Sequence, residues 1–200
     1  MNGAFELACD RAPDADTEEP ILAATKKWLE RAVIGLGLCP FAANVLLHDQ
    51  IRYRVSTQDS TTGLLKDLSC ELQLLRDADP QRCETSLLIH PHVLSNFFEY
   101  NEFLNEAEEA VFELGLTGEL QIASFHPAYQ FAGCAPDDIE NYSNRSPYPM
   151  LHLLREASVT RAVATFPGIN EIGSNNIATL RRLGKAGWQR LGLTPSQSST

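Results

Sequence analysis

Apolar positions in the first fifth of the chain recur at helical spacing. Leu22, Trp28, Leu29, Ala32, Val33 and Leu36 fall on one stripe, which predicts a helix from Pro20 to Leu36. Pro20 suits its first turn, and Gly35 and Gly37 mark its exit. The pattern then shortens to Ile51–Val55, IRYRV, a strand. After the capping signal DSTT, Leu64, Leu65, Leu68, Leu72 and Leu75 restore the helical period, and this second helix stops before Pro80. Thr85–His90 reads as a second strand. Phe97, Tyr100, Leu104, Ala107, Val111 and Leu114 mark a third helix ending at Gly115, and Leu120–His126 reads as a third strand. Residues 127–149 show no period and predict a long irregular loop. Ser146 and Pro147 then have the form of a helix start, with Leu151, Leu154, Val159 and Val163 following over one or two short helices. A last helix is expected from Asn170 to Leu191.

Strand alternating with helix predicts an α/β fold: three main parallel strands in a helix-flanked sheet, with additional C-terminal helices. Residues 1–18 read as a flexible acidic leader, 19–194 as a single domain and 195–200 as a flexible polar tail. In a parallel sheet the C-terminal strand ends lie side by side, where open α/β folds bind ligands. Two strands here end in His-Pro, at His90-Pro91 and His126-Pro127. Either proline simply stops a strand, or both histidines open onto one reactive edge.

Charge narrows the partners. The 200 residues carry a formal net charge of −10, which argues against nucleic-acid binding through clustered Lys and Arg. The N-terminus lacks the basic and apolar regions of a signal peptide, and no apolar run reaches the roughly 20 residues that span a bilayer. A soluble, cytoplasmic protein with no membrane partner is expected. The five cysteines, Cys9, Cys39, Cys70, Cys83 and Cys134, are scattered and form no CxxC pair, so reduced thiols are expected. Oligomeric state is open.

Candidate chemistry concentrates in a few residues. Cys39, between a helix exit and Pro40, reads as a nucleophile, a ligand or a packed core thiol. His90 and His126 read as proton shuttles or metal ligands. Cys39, His90 and His126 together would make a three-ligand site for zinc or iron with one open position. His90 and His92 have His-x-His spacing, although a helix launched at Pro91 would turn His92 away. In NYSNRSPYP, Arg145 with Asn144 and Ser146 precedes the expected helix start, a setting for binding an anion. Alternatively Arg145 pairs with Asp137 or Asp138, which also suit capping a helical turn. His152 and Arg155, one turn apart on that helix, read as a solvated face or as further pocket residues. No P-loop, GxGxxG, HExxH or GxSxG occurs.

The blocks WLERAVIGLGLCPFA, LLIHP, ASFHPAYQFAG, APDDIENYSNRSPYP and LHLLREASV resemble the bacterial family catalogued as domain of unknown function 1415, over Ala24 to Leu191. That family's motif includes Cys39, His90, His126 and Asn144-Arg145-Ser146 but not His92, and it carries Asn where this chain has Gly37. The resemblance implies a stand-alone protein without an established substrate. The residues themselves point to a small enzyme, a hydrolase or group transferase acting on an anionic small molecule at a Cys/His/Arg pocket. The alternatives are a non-catalytic metabolite- or metal-sensing protein using the same pocket, or a module whose acidic surface docks a partner.

Overall fold

The computed structural model describes residues 15–165 and 171–193; most of the expected leader and all of the expected tail lie outside them. Helix α1 spans Ala15–Trp28, so it begins inside the expected leader and Pro20 lies within it. A π-helical turn, Leu29–Ile34, continues it. Then come α2 (Ala42–Leu47), β1 (Ile51–Val55), α3 (Thr61–Asp77), β2 (Thr85–Ile89), α4 (Phe97–Glu113) and β3 (Leu120–Phe125). A 3-10 turn over Ile139–Ser143 precedes β4 (Met150–Arg155), α5 (Glu156–Thr165) and α6 (Ile172–Arg190). Helix α3 starts where the Ser60 side chain accepts the Gly63 N–H, and α4 where Asn96 accepts the Phe98 N–H, ordinary N-caps of their residue types. Among the described residues, no helix is long and apolar enough to cross a membrane.

The sheet is mixed, which corrects the expectation of three parallel strands. Its order is β1-β2-β4-β3. Only β1 and β2 pair in parallel; β4 lies between β2 and β3 and runs antiparallel to both. The first part of the segment read as one or two short helices after Pro147 is therefore an interior strand, β4, while Val159 and Val163 do lie on a helix, α5. Leu151 and Leu154 match a helical period, but both faces of MLHLLR lie under packed layers, and a short doubly buried strand carries apolar residues on either side. Pro147 and Pro149 hold the entry extended.

Two reversals through β4 leave β1, β2 and β3 pointing the same way, so the two His-Pro ends do emerge at one end of the sheet, with the incoming β4 between them. The His90 N–H donates to the Pro149 carbonyl (3.0 Å) and the His126 N–H to the Asn144 carbonyl (3.1 Å). Alternation along the strands separates two cores. Leu88, Leu151 and Leu153 pack with Leu64, Leu68 and Leu72 of α3 and Tyr100 and Phe103 of α4. Leu87, Ile89 and Met150 pack on the other side with Trp28, Leu29, Ala32 and Val33, and Trp188 of α6 joins them.

Candidate functional site

The histidines meet on the α3/α4 side. His90 and His126 flank the Tyr100 ring, at centroid distances of 5.7 and 5.1 Å. Tyr100 is itself fixed between strands: its hydroxyl donates to the Met150 carbonyl (2.8 Å) and accepts the Phe125 N–H (3.1 Å). His126 donates from Nε2 to the Leu94 carbonyl (3.1 Å), while Nδ1 accepts the Ala128 N–H (3.0 Å). Both its nitrogens are thus committed. His90 donates from Nδ1 to the Val93 carbonyl (3.0 Å), and its Nε2 is buried without a hydrogen-bond partner. Both rings hold the turn that leads into α4, in which Leu94 adopts a left-handed φ of 60°. Burial lowers the pKa of both, His90 to about 4. His92 is exposed and does not share a site with His90, and α4 starts at Phe97 rather than at Pro91.

Cys39 is elsewhere. It packs into the core on the opposite side of the sheet, so the three-ligand set of Cys39, His90 and His126 is not assembled. Among the described residues no three His, Cys, Asp or Glu side chains gather as metal ligands. Alternation along β4 accounts for this, because the Tyr100 side and the Trp28 side are separate cores. Instead Cys39 lines a cavity of about 40 Å³ with Trp28, Thr85, Phe125 and His152. Read as a helical residue, His152 would face solvent; as the third residue of β4 it faces inward. The missed signal was the short apolar run preceded by Pro147 and Pro149.

His152 has a defined tautomer. The Thr85 hydroxyl donates to the Leu153 carbonyl (2.6 Å) and so accepts from His152 Nε2 (2.7 Å). This leaves Nδ1 with its lone pair. Burial holds His152 at about 4, as a neutral imidazole. Burial also pushes the Cys39 thiol up, against the backbone amides of Ala42 and Phe41, which favour the thiolate. A neutral thiol and a neutral imidazole therefore share the cavity. Among the described residues Cys39, Cys83 and Cys134 are free.

Arg145 does not precede a helix. Its Nε donates to the Tyr129 carbonyl (3.3 Å) and Nη2 to the Pro136 carbonyl, and the guanidinium lies 4.3 Å from the Tyr142 ring centroid. Asp137 pairs with Lys185, and Asp138 accepts the Ala135 N–H just before the 3-10 turn. The Asn144 amide donates to the Ser124 carbonyl (3.1 Å), and the Ser146 hydroxyl to the Tyr148 carbonyl (2.6 Å). Both side chains organise the entry to β4 where an anion site at a helix start had been expected. Arg145 does border a cleft of about 230 Å³ with Trp28, Tyr142, Ser146 and Trp188. Trp28, whose Nε1 donates to the Arg145 carbonyl (2.8 Å), forms a wall of both this cleft and the Cys39 cavity. Gly37, just before Leu38-Cys39, has φ 67° with open space where a Cβ would stand. Asn tolerates that backbone better than other side chains do, so Gly in place of Asn keeps the local geometry.

No curated protein and no solved structure matches the chain. One family does, over residues 20–190, and on that match the chain belongs to the family described as protein of unknown function (DUF1415).

Proposed function

We propose that this protein is an enzyme, a hydrolase or group transferase, in which Cys39 is the nucleophile and His152 its base. The observation that carries the reading is that both side chains line one enclosed cavity, with Thr85 fixing the imidazole as its Nε2–H tautomer. A thiol whose pKa burial has raised needs a base to react near neutrality, and a third group orienting that base is the usual accompaniment. In the reaction the Cys39 sulfur attacks an electrophilic carbon of the substrate, and the thiol proton passes to His152 Nδ1. The leaving group departs with that proton, and water or a second acceptor then breaks the new C–S bond. The substrate is a small molecule with an anionic group. The Arg145 cleft, across Trp28 from the cavity, receives the anion, where the guanidinium adds a charge-assisted hydrogen bond. His90 and His126, on the far side of the sheet, position the strand ends and take no part in the chemistry.

Alkylation with iodoacetamide, read by mass spectrometry on the folded protein, tests the reading. Cys39 is expected to react faster than Cys83 and Cys134, and His152→Gln to slow it about a hundredfold near neutral pH, the lower end of what general-base assistance provides. A Cys39 that reacts only after denaturation, or at the same rate in His152→Gln, removes the nucleophile.

A further inference from the structure

A groove of about 510 Å³ lies between α2, the start of β2 and α5. It is separate from the Arg145 cleft, and its size is typical of small-ligand sites. Its apolar lining includes Phe41, Val45 and Pro80. Two of its polar side chains, Glu84 and Gln50, present hydrogen-bond acceptors. Glu84 is only 7% exposed, and its Oε1 takes both the Ser158 hydroxyl and the Arg161 Nη2. Its Oε2 has no hydrogen-bond partner among the described residues. Beside it, Gln50 spends its Nε2 on the Pro80 and Gln81 carbonyls (3.3 and 3.0 Å), which orients the amide and leaves Oε1 as an acceptor. The two residues adjoin, since the Glu84 N–H donates to the Gln50 carbonyl (2.9 Å).

A nearly buried carboxylate oxygen and an amide oxygen, both open to a groove with apolar lining, call for a ligand that donates hydrogen bonds and carries positive charge. We infer that this groove binds a small organic amine as its ammonium form, the charged head on Glu84 Oε2 and Gln50 Oε1 and the alkyl body on Phe41 and Val45. Arg161, bonded to Oε1, opposes the charge, but its side chain is 66% exposed, where water screens it. The net charge of −10 favours a cation at long range. The inference does not depend on Cys39 being reactive.

The test compares three probes with the same body, pentylammonium, pentanol and pentanoate. Binding to the full chain is followed through the backbone amide NMR signals of Gln50, Glu84 and Ala162 at neutral pH. Pentylammonium is expected to bind at least about tenfold more tightly than pentanol, and pentanoate most weakly. Glu84→Gln should abolish the preference for pentylammonium while leaving pentanol binding unchanged. Because Glu84 also ties Ser158 to Arg161, a second variant at the exposed rim guards against misfolding. Asn44→Asp should tighten pentylammonium several-fold. Equal affinities for pentylammonium and pentanol in the wild type, or a folded Glu84→Gln that keeps the preference, overturns the site. So does an Asn44→Asp that changes nothing.

Discussion

Acidification should unfold this protein through its buried imidazoles, and His90 allows the size of the effect to be worked out. Its ring has no solvent exposure, and burial lowers its pKa from 6.5 to about 4. A proton added at Nε2 would create an N–H with no acceptor in reach, since that atom has no partner. Between the two pKa values the unfolded chain holds more protons than the native one, so stability rises with pH across that window. The contribution is complete above about 6.5 and falls away as pH drops toward 4. At about 1.4 kcal/mol per pH unit, His90 alone gives up about 2 kcal/mol by pH 5 and about 3 kcal/mol near its native pKa. His152, also held at about 4, adds a term of the same sign, and the lowered His126 adds to it. Against the roughly 5–15 kcal/mol of total stability usual for domains, this is a large fraction. Urea unfolding followed by circular dichroism at pH 7 and pH 5 measures it. The expected result is a clear loss at pH 5, about 2 kcal/mol of which disappears in His90→Phe because that variant cannot titrate. A wild-type stability that is flat between these pH values refutes the reasoning, as does an NMR titration placing His90 near 6.5.

Two further substitutions probe the strand ends. Tyr100→Phe keeps the ring but orphans the Met150 carbonyl and the Phe125 N–H, and it should cost about 2–4 kcal/mol in urea unfolding; a loss under about 0.5 kcal/mol contradicts the bridging role. Arg145→Ala removes the bonds to the Tyr129 and Pro136 carbonyls and the stacking on Tyr142, so the melting temperature should fall by a few degrees, a loss of about 1–2 kcal/mol. An unchanged melting temperature would mean that the loop does not rely on this clamp.

The elements with a strong local period were legible from the residues. Strands β1, β2 and β3, helices α3 and α4, and α6 within two residues of its expected ends follow from alternation, caps and Gly or Pro stops. Strand β4, between β2 and β3, was not. MLHLLR is too short to show its period, and its leucines at 151 and 154 satisfy a helix as well as a doubly covered strand. That one misreading carried the site with it, turning His152 outward and placing a helix start after Arg145. The shared direction of the two His-Pro ends was anticipated, although the parallel pairing from which it was argued does not exist between those strands. Gathering Cys39 with those histidines failed because residue spacing does not say which side of a sheet a loop packs against.

The position of β4 also sets an order of assembly. Strand β3 touches the sheet only through β4, which follows the other three strands in the chain. Until residues 150–155 have emerged, β3 lacks its native neighbour and the β2 edge stays unpaired. Its pairing brings Thr85 opposite Leu154, closing a loop of roughly 70 residues whose entropy must be met before the contact is rewarded. The parallel β1–β2 pair and the leucine face of α3 can form early. The halves of the sheet that carry His90 and His126 become one structure only when β4 enters between them.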